Sequence, residues 1–127
     1  VKVSTHFNKE EFDCSDGSEM PLEVLNNVFE LARNLEVVRA HFNAPVTINS
    51  AYRSPVYNRS VGGAVNSQHL SGKAADIVLE GVTPDEVADA IDFLIEVGLM
   101  QEGGIGRYDT FTHYDIRGVK SRWDYRK

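Results

Sequence analysis

Ser67-Gln68-His69-Leu70-Ser71-Gly72-Lys73-Ala74-Ala75-Asp76-Ile77-Val78-Leu79 passes from loop to strand within a few residues, and the way it does so sets the architecture of the chain. Gly72 permits a tight backbone turn. Lys73 to Leu79 then reads as a strand. Ala74 and Ala75 are small enough for neighbouring structure to approach closely. Such a turn folds a histidine on the loop back towards an aspartate on the strand, so that His69 and Asp76 can reach one ion.

Outward from this stretch, Val46-Thr47-Ile48-Asn49-Ser50 is short, β-branched and alternating, which predicts another strand. Between the two strands, Ala51 to Gly72 shows no periodicity and is punctuated by Gly62-Gly63, Asn66-Ser67 and Ser71-Gly72. A long irregular connection is expected there, of the kind that compact domains keep for function. Upstream, Phe7 and Phe12 anchor the N-terminus, and Cys14 to Ser18 reads as a turn. Pro21 fits the first turn of a helix. Leu25, Val28, Phe29, Ala32, Leu35 and Val38 then follow at helical spacing to about His41. Downstream, Thr83-Pro84-Asp85-Glu86 carries the signature of a capping box, followed by an apolar stripe of Val87, Ala88, Ile91, Leu94 and Ile95, with Gly98 as its stop. Gly104 to Tyr108 and Phe111 to Ile116 are two further strands, before a polar tail containing Trp123. The expected fold is α+β: a small antiparallel sheet with two main helices packed on one side.

At 127 residues, 42% hydrophobic and 25% charged, the chain is expected to form one domain over residues 1–127 and to act as a monomer. No apolar run is long enough for membrane insertion. No basic-then-apolar leader opens the chain, although a mature protein would lack one, so the compartment stays open. The formal net charge of −6 argues against nucleic acid, whose binding needs clustered Lys and Arg. It also offers no general attraction to other anionic polymers, which would have to be recognised locally. Cys14 is the sole cysteine, so an intrachain disulfide and a cysteine-based zinc site are both excluded. Any metal must be held by His and carboxylate.

Of the four histidines, His41 ends a helix, where a cationic side chain suits the carbonyl-rich terminus, and His6 lies beside the N-terminal anchor. His69 and His113 remain. The spacing of His69 and Asp76 is not specific by itself, since His6 and Asp13 repeat it; the small residues and the glycine between them set it apart. In Phe111-Thr112-His113-Tyr114-Asp115-Ile116, alternation along a strand points His113 and Asp115 into the same space. Two His and one carboxylate would leave a fourth position for water, as in a catalytic zinc site. A buried His–Asp pair holding the fold together without metal uses the same residues, and spacing does not choose between the two.

Three blocks extend the pattern: Ser50-Ala51-Tyr52-Arg53-Ser54-Pro55, Asn58-Arg59-Ser60-Val61-Gly62-Gly63-Ala64, and Asn66 through Asp76. Together with Phe111-Thr112-His113-Tyr114-Asp115-Ile116-Arg117-Gly118 and the opening His6-Phe7…Glu11-Phe12…Cys14, they resemble the M15 metallopeptidases. The similarity is to the short D-Ala-D-Ala carboxypeptidase-like branch found in bacteria and phages, and it spans nearly the whole chain. The resemblance implies zinc on His69, Asp76 and His113, and a fold shared with the hedgehog signalling domain. It places on Arg53 the arginine that steadies the substrate carbonyl and its oxyanion, a role suited to a fixed guanidinium. The implied partner is bacterial peptidoglycan peptide, cut at the cell wall by a D-Ala-D-Ala carboxypeptidase or an endolysin-like L-Ala–D-Glu endopeptidase.

This chain departs from that pattern in one respect. Where many M15 enzymes carry a catalytic Glu or Asp, or a second His, shortly before the last ligand, it has Thr110 and Phe111. The general base therefore falls to Asp115 or Asp109. Asp115 is preferred, either as base or as the carboxylate orienting a zinc-bound histidine; a salt bridge to Arg117 is its competing structural role. Ser67 and Gln68 are candidates for the rim of the site. Tyr52 and Trp123 either line a cleft or pack in the core. The alternative function is a zinc-containing wall-binding or phage structural module without turnover.

Overall fold

A computed structural model describes residues 1–127. Helix α1 (Leu22–Phe42) buries Val24, Val28, Leu31, Leu35 and Val38, a stripe recurring every three or four residues. Phe29 falls off that stripe and is exposed, with Leu31 inside instead. Pro21 is the N-cap residue, and Asn43 closes the helix in the left-handed conformation at φ 49°. Helix α3 (Pro84–Glu96) opens with the expected reciprocal bonds. Glu86 N donates to Thr83 Oγ1 at 3.1 Å, and Thr83 N donates to the Glu86 carboxylate at 3.0 Å. No helix is long and apolar enough to cross a membrane.

The sheet has five strands: β1 (Thr47–Ser50), β2 (Ala74–Val78), β3 (Gly104–Arg107), β4 (Thr112–Asp115) and β5 (Ser121–Asp124). Their order is β1-β2-β4-β3-β5, with every pairing antiparallel except β3 with β5. Two elements depart from the expectation. The tail forms β5, a parallel edge strand, and the connection expected to be irregular contains a six-residue helix, α2 (Pro55–Ser60). Helix α2 is too short to show a period, but it begins on a clear local signal: Ser54 Oγ accepts from Tyr57 N, and Pro55 takes the first position.

Alternation divides the sheet into two unlike faces. Ala75, Ile77, Ile105 and Tyr114 join the buried residues of α1 and α3 in one apolar cluster, so both long helices cover the same face. The opposite face carries polar side chains. Register aligns Ser50 with Asp76, Asp76 with His113, His113 with Gly106, and Gly106 with Trp123. A single row thus crosses all five strands and brings together residues remote in sequence.

Candidate metal centre

His69 reaches this row from a short 3-10 turn, Gln68–Ser71. Ser67 Oγ accepts from His69 N at 3.2 Å to start the turn, and Gly72 ends it at φ 72°. A side chain on Gly72 would run into Val24 of α1, so glycine is required there both for the backbone angle and for close packing. The turn expected between loop and strand is present, and it delivers His69 over β2. One ligand atom from each of His69, Asp76 and His113 can be chosen so that all lie within 4.8 Å of one another, and all three residues are buried.

Proton accounting shows what these atoms need. His69 Nδ1 lies 2.6 Å from the Ala51 carbonyl, which can only accept, so Nδ1 carries the hydrogen and Nε2 presents a lone pair. His113 Nε2 lies 2.7 Å from Asp115 Oδ2, so Nδ1 presents the lone pair on that ring. Both lone pairs face Asp76 Oδ1, at 3.2 Å and 3.0 Å. With neutral rings, three acceptors converge with no hydrogen between them. That arrangement is repulsive unless positive charge sits among them, either as protons on the rings or as a cation.

The ionisation of the site shows the same demand. Burial pushes Asp76 up, but bonds from His113 and His69 outweigh it and hold the carboxyl well below its usual range. Burial pushes His113 down, yet its bonds to Asp115 and Asp76 reverse this and raise it. Two imidazole nitrogens and one carboxylate oxygen, with the second nitrogen of each ring already bonded away from the centre, form a donor set that suits Zn²⁺ with a position left open. The residues present fit such an ion.

Arg53 stands beside the triad. Its Nη2 lies 3.5 Å from Asp76 Oδ2, its Nε donates to Ser50 Oγ at 3.3 Å and its Nη1 donates to Asn58 Oδ1 at 3.3 Å. Asn58 is buried and also donates to the Ala64 carbonyl at 2.9 Å. A Cβ on Gly63 would overlap the Asn58 amide, so that glycine makes the support for Arg53 possible. Asn58 lies in the Asn58–Ala64 motif, but the motif alone does not reveal its role, which depends on the contacts that helix α2 gives it with Arg53 and Ala64.

Asp115 lies behind His113. Its oxygens accept from His113 Nε2, from Gly104 N at 2.9 Å, and from Arg117 Nε and Nη2 at 2.9 and 2.8 Å. Of the roles expected for it, orienting His113 and pairing with Arg117 match this geometry, whereas it presents no free oxygen to solvent. Asp109 is exposed, bonds the Lys127 backbone N–H at 3.3 Å and does not line the cavity. Thr110 is also exposed, and Phe111 stacks on Tyr108 with ring centroids 4.3 Å apart. Ser67 and Gln68 do line the cavity, whose volume is about 720 Å³, and so does Trp123, whose ring lies 4.9 Å from that of His113. Tyr52 is core packing instead. Asp76 is the one carboxylate among the lining residues.

Comparison with known proteins bears on this centre directly. The family model described as Peptidase M15 matches residues 5–115, a span that includes all three triad residues and Arg53. The chain belongs to the peptidase M15 family. Among curated relatives, the probable peptidoglycan L,D-endopeptidase MepK of Haemophilus influenzae is 31% identical over 102 residues, covering 75% of this chain and 52% of the relative. The zinc D-Ala-D-Ala carboxypeptidase of Streptomyces albus G is 36% identical over 66 residues, covering 51% of this chain and 26% of the relative. This M15 chain therefore spans about half the length of the first relative and about a quarter of the second.

Proposed function

We propose that this M15 chain is a zinc-dependent peptidase that hydrolyses a peptide bond next to a D-amino acid in bacterial peptidoglycan. The observation that carries the reading is the convergence of His69 Nε2 and His113 Nδ1 on Asp76 Oδ1, at 3.2 and 3.0 Å, three atoms that all offer lone pairs when the rings are neutral. His69, Asp76 and His113 would hold the ion. When bound, zinc lowers the pKa of its water to about 7 and polarises a carbonyl.

The chain's own groups do the rest. The Ala51 carbonyl and the Asp115 carboxylate fix the tautomers of His69 and His113. Arg53, held by Ser50 and Asn58, offers its guanidinium to the substrate carbonyl as it takes on negative charge. Gly62, Gly63, Ala64, Phe111 and Trp123 line the cleft where a peptide would lie. The relatives are named as a probable peptidoglycan L,D-endopeptidase and a zinc D-Ala-D-Ala carboxypeptidase, and these names supply the two candidate bonds.

The test is zinc analysis of the purified protein together with mass spectrometry of digested peptidoglycan. Wild type is expected to bind one zinc per chain and to release peptide fragments or terminal D-Ala, the fragment mass identifying the bond. His69→Ala is expected to lose both zinc and release. Full activity in His69→Ala would end the proposal. Bound zinc without turnover on any muropeptide would favour a wall-binding module, a reading motivated by the lack of a second carboxylate in the cavity.

A further inference from the structure

Resting on that peptidase reading, we propose that Tyr108 is a further catalytic residue: its hydroxyl, fixed from behind by Trp123, donates a hydrogen bond to the scissile carbonyl oxygen as that oxygen gains negative charge, alongside Arg53.

The direction of the hydroxyl follows from its partner. Trp123 Nε1 lies 2.9 Å from Tyr108 Oη, and an indole N–H can only donate. The tyrosine oxygen therefore accepts that bond, and its own hydrogen must find another acceptor. No protein acceptor takes it. Tyr108 lines the same cavity as Arg53, His69, Asp76 and His113, so the hydrogen is available to whatever occupies that space.

The phenol is also held firmly, which a transition-state donor requires. Its ring stacks on Phe111 at 4.3 Å with planes 13° apart, and Tyr125 closes another side at 5.6 Å. Trp123 is placed in turn by Gly106, where any Cβ would collide with the indole, and it lies against His113. A path of direct contacts thus runs from His113 through Trp123 to the Tyr108 hydroxyl. Burial pushes the phenol pKa up, and the Trp123 bond offsets this only in part, so Tyr108 stays protonated and serves as a donor rather than a base. A cleft whose sole carboxylate is Asp76 is better furnished to bind developing negative charge than to collect protons.

Tyr108→Phe keeps the ring stack and removes the hydroxyl. With zinc bound, kcat on a muropeptide substrate is expected to fall about 100-fold, while KM, zinc content and Tm stay near wild type. Affinity for a phosphinate analogue of the scissile peptide should fall with kcat, but affinity for an uncleaved product peptide should not. Trp123 is the chain's single tryptophan, so its fluorescence reports both binding events. Trp123→Phe leaves the Tyr108 hydroxyl in place but frees it to rotate. It should cost an intermediate factor in wild type and little more in the Tyr108→Phe background, the non-additivity of residues acting as a unit. It also carries the test if Tyr108→Phe loses zinc. If zinc-loaded wild type cuts nothing, the peptidase reading itself fails. If wild type cuts and Tyr108→Phe stays within about threefold of it in kcat and phosphinate affinity, the Tyr108 assignment is overturned.

Discussion

Asp115 is wholly buried, yet each of its oxygens is occupied: Oδ1 accepts from Gly104 N, Arg117 N and Arg117 Nε, and Oδ2 accepts from His113 Nε2 and Arg117 Nη2. Burial raises its pKa, but the bonds from His113 and Arg117 outweigh it and hold the group ionised. An ionised carboxylate so placed cannot collect a proton from water in the cleft; it can keep a hydrogen on His113 Nε2 and so leave Nδ1 free. We therefore expect Asp115→Asn to weaken zinc binding about 10- to 100-fold, measured by competition with a chromophoric chelator. Turnover at saturating zinc should largely survive. The opposite pattern, unchanged zinc affinity with turnover abolished, would restore Asp115 as general base. At this scale the glycine turn at His69, the small residues before Asp76 and the alternating strand of His113 made the three residues candidates, but it was the resemblance of the motifs to the M15 pattern that favoured a metal over a buried His–Asp pair. Asn58 and Tyr108 were not legible, because their roles arise from contacts across elements.

The glycines of β3 show how a strand can make room for a site. Gly104 and Gly106 face Asp115 and His113 on β4, and a Cβ at either would enter space held by Asp115 or Trp123. Gly106→Ala is expected to lower stability by about 1–3 kcal/mol through overpacking. It should also displace the indole, shifting the Trp123 emission and reducing activity. Unchanged emission, with the fold intact, would mean the indole does not depend on this gap. These glycines read in the sequence as ordinary strand residues, since their purpose exists only in register with β4 and β5. Strand β5 itself was hidden because Ser121-Arg122-Trp123-Asp124 has no apolar alternation. It is held at the sheet edge by ladder bonds and by Arg122, which bonds Asp92 at 3.0 Å and Glu102 at 3.0 Å. By contrast α1, β1, β2, α3, β3 and β4 were legible, because each carries its own period or cap.

At the scale of the whole molecule, the triad ties a 3-10 turn to β2 and β4, so an ion there would brace against the sheet a turn that contributes no residue to the apolar core. Zinc binding should then appear as stability: free metal at a hundredfold excess over Kd adds about 2.7 kcal/mol, a rise in Tm on the order of 10 °C for a chain of this size. The effect has a defined pH dependence. In metal-free protein Asp76 is depressed below 3.8, so its contribution is present above that value and is lost as pH falls through the folded pKa. His113 is raised above 6.5, so its contribution is complete below that value and is lost as pH rises through the folded pKa. Protons thus bind the metal-free centre together between those limits and loosen as pH climbs through the raised pKa of His113, so zinc meets less competition for the same lone pairs as pH rises. Scanning calorimetry with and without chelator should therefore show a Tm gap that widens from pH 6 to pH 8. A gap that stays constant, or narrows, over that range would mean the converging nitrogens and carboxylate do not exchange protons for metal.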